Sequence, residues 1–187
     1  MKPDEISTIA DTVTALATTG AVVIAGLGLN AWRKQLKGTT EYELAKRLLL
    51  QVYQLRDALQ YTRHPFLMLG EAGDIPDDLP WEVAAYNNRW KAVREAMVEL
   101  NAMSLECEVI WGTPIVDLMG NLRSHVATLR NAVELFNTTK LDPTFKEDFT
   151  KEVRDTLYSR GDDDHYNTQL KKLITQFEDY AKPHLSR

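Results

Sequence analysis

The feature that most constrains this chain is an uncharged segment of 21 residues near its N-terminus, from Thr12 to Trp32. Wound into an α-helix, such a segment spans roughly 31 Å at about 1.5 Å per residue, which matches a hydrocarbon core of about 30 Å. Its strongly apolar residues favour insertion by roughly 2–4 kcal/mol in total, and its Thr, Gly and Asn residues offset part of that. The segment therefore predicts a transmembrane helix over residues 12–32.

Two other interpretations of this segment stay open. A cleaved signal peptide carries positive charge before its apolar run and small residues at its end. Here one Lys and three acidic residues precede the segment, and the basic cluster follows it. The other alternative is a buried helix of a soluble domain, although the uncharged stretch is long for one.

The flanks of the segment predict its orientation. Residues 33–47 hold five Lys or Arg residues, whereas residues 1–11 hold only Lys2. Because basic flanks remain on the cytoplasmic side, we expect residues 1–11 to form a short extracytoplasmic tail and residues 33–187 to form a cytoplasmic domain. The membrane-proximal basic residues are then positioned to face an anionic leaflet; they are Arg33, Lys34 and Lys37.

One face of the predicted membrane helix consists of residues with small side chains. Ala17, Ala21 and Ala25 repeat at four-residue spacing. Small residues at this spacing let two helices approach closely in lipid, so this face predicts self-association. The alternative is that Ala is simply common in membrane helices.

Residues 33–187 predict helices only. Apolar residues recur at alternating spacings of three and four, most regularly from Val83 to Trp111, and Gly112 to Pro114 predict a tight reversal. The predicted fold class is all-α, with the N-terminal transmembrane helix followed by an antiparallel helical bundle of about five helices.

The junction between membrane helix and domain has two interpretations. Gly38, Thr39 and Thr40 predict a break or bend, because Thr40 and Glu43 have the spacing of a capping box that opens a new helix. An unbroken helix is the alternative, since a single Gly costs only about 1 kcal/mol.

Composition excludes some partners. The net charge is −5 and the pI is about 5.4, which argues against nucleic acid as a partner. Cys107 is the single cysteine, so no intramolecular disulfide is possible, and its place on an apolar seam predicts an inert core thiol.

No pattern in the sequence indicates catalysis, a cofactor or a metal. The Glu-x-x-His motif of di-metal bundles does not occur. Asp162 to His165 form the only acidic-histidine cluster, and we interpret it as a solvated helix cap, with a metal site as the alternative. His125 is expected to be a core or boundary residue. A polar cluster that includes Arg56, Asp57 and Arg63 is interpreted as an outer face, with an anion site as the alternative.

Residues 64–80 form the longest irregular stretch, with two Gly and three Pro. A loop of this length is often functional. It holds four consecutive apolar residues, Phe66 to Leu69, which we expect to pack across the end of the bundle. A partner-docking site is the alternative.

One part of the sequence resembles a group of uncharacterised bacterial single-pass membrane proteins that have an N-terminal membrane helix and a cytoplasmic helical domain. The resemblance lies in residues 32–49, WRKQLKGTTEYELAKRLL, and continues in Leu55 to Ala58 and Arg63 to Phe66. The likeness covers about 35 residues between Trp32 and Phe66. It implies a location in the bacterial inner membrane and carries over no activity.

Two functions follow from these features. The first is a non-enzymatic, membrane-anchored scaffold or sensor that acts through protein–protein contacts at the inner membrane, either as a homo-oligomer or with a membrane or cytoplasmic partner. The second is an oligomeric effector or pore-forming subunit that acts on the bilayer through its Thr- and Gly-rich helix.

Overall fold

In a computed structural model, residues 3–73, 79–142, 144, 151–159, 161 and 164–185 are described, with only the backbone for residues 3–13 and Glu152. Five α-helices follow one another in this part of the chain, and a short 3-10 helix, Leu69–Ala72, lies between the first two. No described residue lies in a strand, which confirms the predicted all-α class there. The α-helices are α1 (Pro3–Thr62), α2 (Trp81–Trp111), α3 (Pro114–Leu141), α4 (Lys151–Leu157) and α5 (His165–Leu185).

Helix α1 is continuous, so the predicted break at Gly38 to Thr40 is wrong and the alternative holds. Its 60 residues extend for about 90 Å. The Thr39 and Thr40 hydroxyls donate to the carbonyls of Gln35 and Leu36, four residues earlier, rather than capping a new helix. The uncharged segment and the first helix of the domain are therefore one rigid element.

The two halves of α1 have different surroundings. Every described side chain from residue 14 to 37 is exposed, whereas a stripe farther along the helix is buried against its neighbours. That stripe begins at Glu41 and consists otherwise of apolar residues, which are Leu44, Ala45, Leu48, Val52, Leu55 and Leu59. α1 is the one described helix long and apolar enough to cross a membrane, judged by length and composition.

Side-chain contacts show how the helices pair. The Arg47 guanidinium donates to Glu106 near the C-terminal end of α2, and Arg89 reaches the last turn of α1 from the other end of α2, so α1 and α2 are antiparallel. Tyr53 likewise donates to Glu178 of α5. α3 packs against α2, α4 and α5.

The predicted apolar seams supply the core. On α2, the seam residues are buried except for Trp90, Met97 and Trp111, which are partly buried. On α3 and α5 the predicted stripes also face the core, with Leu118, Leu173 and Tyr180 partly buried and the others buried. The spacing of Phe145, Phe149, Val153 and Leu157 predicts one more apolar stripe. Phe145 and Phe149 lie outside the described residues, Val153 is partly buried and Leu157 is buried.

Candidate functional site

The end of α1 is held by two buried arginines on opposite sides. Arg63, just after α1, has a relative exposure of 0%, and Arg89 of α2 has 2%. A buried guanidinium is costly unless all of its donors are paired. Both arginines meet this condition, and their partners show what each one holds together.

Arg63 joins the end of α1 to α4 and α5. Its Nε and Nη2 donate to the carbonyls of Thr156 and Asp155 at 2.7 and 2.9 Å, in the last turn of α4, where a helix leaves carbonyls unpaired. Its two Nη atoms also donate to the Asp164 carboxylate at 3.1 Å each, and Nη1 donates to Asn167 Oδ1 at 2.7 Å. Arg63 therefore fixes three chain segments to one another.

Arg89 instead holds the loop that follows α1. Its Nη groups donate to the carbonyls of His64 at 2.8 Å and Phe66 at 2.7 Å, and it forms a bidentate pair with Glu71 at 2.6 and 3.0 Å. The neighbouring Asn88 donates to the carbonyls of Glu71 and Ala72. The backbone from His64 to Ala72 is therefore fixed from one side of α2.

The consequence is an exposed apolar surface on a fixed loop. Phe66, Met68 and Leu69 have relative exposures of 71%, 65% and 66%. We name these three side chains the apolar tip. The expectation that residues 66–69 pack across the end of the helices is wrong for these three, and only Leu67 is partly buried against the core. The reason is that the Arg89 and Asn88 side chains donate hydrogen bonds to the backbone carbonyls of the loop, so the loop's own apolar side chains are directed outward.

The carboxylate in this arrangement is stabilised in its charged form. The hydrogen bonds from Arg89 are the main cause of a lowered pKa at Glu71, and its partial burial opposes them. Glu71 therefore stays ionised at neutral pH, and the bidentate pair remains intact there.

The sequence-predicted residues of the membrane segment lie apart from this loop. Ala17, Ala21 and Ala25 are exposed on α1, and no described side chain covers them. The membrane-proximal basic residues Arg33, Lys34 and Lys37 are also exposed, and Lys37 approaches Glu41 at 3.6 Å. The hydroxyls of Thr18 and Thr19 donate to backbone carbonyls of α1 itself.

His125 lies on a polar cleft between α3 and α5. Its ring stacks on Tyr166 with centroids 3.9 Å apart, and burial is the main cause of a pKa lowered to about 4, so the imidazole is neutral at pH 7. The cleft has a volume of about 380 Å³. The boundary position expected for His125 matches its partial burial.

Cys107 and Asp164, which the sequence analysis singled out, have structural roles in the folded domain. Cys107 is fully buried, and burial raises the pKa of its thiol to about 12, which keeps it unreactive. Asp164 accepts from the Asn167 backbone at 2.8 Å and so caps α5, although it is not the solvated cap expected, because Arg63 covers it. Among the described residues, no group of three or more His, Cys, Asp or Glu is placed to hold a metal ion.

The sequence did not lead us to predict that Arg89 is buried and holds the loop, and we placed Arg63 on an outer face, whereas it is buried. A signal for Arg89 does exist, because it lies three residues after Tyr86 and four before Val93, which places it on the buried side of α2. No comparable spacing distinguishes Arg63, which follows the last turn of α1. Its burial depends on α4 and α5, which are about a hundred residues away in the chain.

Comparison with protein families, with curated proteins and with solved structures finds no match to this chain. The likeness of residues 32–66 to bacterial single-pass proteins therefore stays a prediction.

Proposed function

We propose that this protein is a non-enzymatic, membrane-anchored interaction module in which one continuous helix holds a helical-bundle domain at a fixed distance from the bilayer. The observation that carries the proposal is α1 itself, whose N-terminal part is apolar and exposed while its C-terminal part is buried in the domain. From Trp32 to Thr62 the helix rises about 45 Å over thirty residue-to-residue steps. The apolar tip is thus presented on the cytoplasmic side, well away from the membrane surface.

The apolar tip supports a role in protein contacts. Exposed apolar side chains on a fixed backbone lose little conformational freedom when they are covered, so they bind a partner at lower cost than a mobile loop would. Large apolar residues grouped on a surface mark interaction sites. We therefore propose a protein partner for the tip, either membrane-bound or cytoplasmic.

The alternative function, an oligomeric effector or pore-forming subunit, has one supporting observation. The Ala17, Ala21 and Ala25 face is free for close packing of a second α1. Against a pore, the hydroxyls of Thr18 and Thr19 already donate within the helix. We therefore place self-association of the anchor second to the scaffold or sensor function.

The anchor is tested by replacing Val23 and Ile24 together with Arg. Each Arg near the middle of a membrane helix costs about 2.5–3.5 kcal/mol, so two outweigh the roughly 2–4 kcal/mol that the apolar residues supply. We expect the native chain in the membrane fraction after an alkaline wash and the double variant in the soluble fraction. Leu50→Arg, at a site on α1 that is 51% exposed within the domain, is the matched control and should stay in the membrane.

Orientation is read in the same cells. A reporter fused after residue 187 should show cytoplasmic activity, because the basic residues after Trp32 stay inside. Extracytoplasmic activity would contradict the orientation, and a soluble native chain would contradict the anchor.

The apolar tip is tested by replacing Phe66, Met68 and Leu69 together with Ser. Because these side chains are exposed, we expect the thermal stability of the protein to change little, while the complex extracted in mild detergent from its own host becomes smaller on a native gel. Val98→Ser with Leu105→Ser, at positions 65% and 64% exposed on α2, is the control and should leave the complex intact. Equal migration of the native chain and the tip variant would contradict a partner at this loop.

A further inference from the structure

The end of the domain opposite the apolar tip adjoins the apolar half of α1. Ile110, near the end of α2, lines a recess of about 350 Å³ together with five residues of α1 that are spread over a little more than two helical turns. The α1 residues of this recess are Arg33, Leu36, Lys37, Thr40 and Glu41. His184 of α5 reaches the same level, since its ring stacks on Trp111 at 4.1 Å and its Nδ1 lies 3.4 Å from Glu41.

The part of this recess around Arg33 and Leu36 lies at the depth of the headgroup layer of a bilayer that α1 would cross, and Glu41, nine residues or about 13 Å beyond Trp32, lies farther from the membrane. Leu36 is four residues beyond Trp32, which corresponds to about 6 Å along the helix. The polar layer on each side of a bilayer is about 5–7 Å thick. Since α1 is continuous through Gly38, the domain cannot swing away from the membrane on a hinge at this point.

Several of the residues exposed at this end are apolar. Val109 has a relative exposure of 86%, Val116 has 44% and Ile110 has 39%, and all three lie within four residues of the turn between α2 and α3. Leu36 of α1 is 53% exposed. We name these four residues the membrane-facing end. Such side chains are favoured at an interface where they insert among lipid headgroups.

The charged residues beside the membrane-facing end favour an anionic membrane surface. Arg33, Lys34 and Lys37 are exposed beside the membrane-facing end, and each basic residue near an anionic leaflet contributes about 1 kcal/mol of attraction. Asp117 is exposed on the first turn of α3 and opposes this attraction. The basic residues of α1 and the apolar side chains must therefore carry the contact together.

We propose that the membrane-facing end rests on the bilayer and binds anionic phospholipid headgroups, so that the domain contacts the membrane at a second place besides α1. The inference rests on the proposed anchor. Its consequence is mechanical, because a helix and a lateral contact together fix the tilt and rotation of the domain, whereas a helix alone fixes neither. The apolar tip is then held in a defined orientation as well as at a defined height.

The test places one nitroxide label at a time on the full-length protein in vesicles of phosphatidylcholine and phosphatidylglycerol. The labels are attached at Val23→Cys, Val98→Cys, Val109→Cys and Val116→Cys, since the buried Cys107 does not react. The measurement is the ratio of relaxation by oxygen, which enters lipid, to relaxation by a water-soluble nickel complex. Val98 is the matched control, because it is exposed on α2 but lies eleven residues, about 16 Å, farther from the membrane.

We expect the ratio at Val109 and Val116 to be severalfold higher than at Val98 and to fall when phosphatidylglycerol is omitted. A high ratio at Val23 with a ratio at Val109 and Val116 equal to that of Val98 would overturn this inference and leave the anchor in place. A low ratio at Val23 as well would overturn the anchor and the inference together.

Two further outcomes would overturn the role of anionic headgroups or the membrane contact itself. An unchanged ratio in phosphatidylcholine alone would overturn the role of anionic headgroups. Dipolar broadening between labels at Val109, together with a low oxygen ratio, would assign this end to a second copy of the chain and overturn the membrane contact.

Discussion

Replacing Arg63 by Met is expected to lower the free energy of unfolding of the domain by about 3–5 kcal/mol. Met keeps most of the aliphatic volume, so the loss comes from the guanidinium. Without it, the Asp164 carboxylate, which is only 10% exposed, loses its charged partner, and the carbonyls of Asp155 and Thr156 lose theirs. Buried groups left without partners cost their full desolvation free energy.

The measurement is a urea titration of the full-length protein in detergent micelles, followed by tryptophan fluorescence. Arg56→Met is the matched control, because the Arg56 side chain is 36% exposed and its described contacts are the adjacent Asp57 and the face of the Tyr53 ring. Its loss should stay below about 1 kcal/mol. Arg63→Lys should recover only part of the stability, since an ammonium has three donors and no planar fork. An equal, small effect of Arg63→Met and Arg56→Met would contradict the role of Arg63.

Replacing Arg89 by Met is expected to have the second largest effect, about 2–4 kcal/mol. We expect a smaller loss than for Arg63, because the abandoned Glu71 side chain is 15% exposed and can be hydrated. The distinctive result concerns the loop. Without the bonds from Arg89 to the carbonyls of His64 and Phe66, cleavage by chymotrypsin at Phe66 should accelerate more than the loss of global stability explains.

Two comparisons isolate this local effect. Arg63→Met should destabilise the domain more and accelerate cleavage at Phe66 less, because its partners lie in α4, in α5 and just before α5. Arg94→Met, at an exposed position of the same helix, should change neither quantity. Cleavage at Phe66 that follows global stability in all three variants would show that Arg89 does not hold the loop.

Arg89 also explains why the apolar tip is exposed. An apolar loop free to move would collapse onto the nearest apolar surface to remove its side chains from water. Here the backbone carbonyls accept from Arg89 and Asn88, so the loop cannot turn its side chains inward without breaking those bonds. Stability and function are thus expected to be linked at Arg89, and largely independent at Phe66.

Periodicity was sufficient to predict the all-helical class and the buried faces of the helices in the described part of the chain. The apolar stripes of α2, α3 and α5 follow from the 3.6-residue turn of the helix, and the residues predicted from it are buried or partly buried. The turn at Gly112 was predicted from local backbone chemistry. Each of these features depends on residues near one another in the chain, which is why the sequence alone indicates them.

The candidate site was not predictable in the same way. Whether Gly38 breaks α1 depends on a balance of about 1 kcal/mol, and the packing of Leu44 and Leu48 against the domain favours the continuous helix. Whether Phe66 is covered depends on Arg89, about twenty residues later. By itself the sequence determined an uncharged segment of membrane length and a set of amphipathic helices, because composition and period are local. Only tertiary structure decided the burial of Arg63 and Arg89, the exposure of the apolar tip and the position of Ile110 beside Leu36 of α1. Each of these depends on which distant segments come into contact.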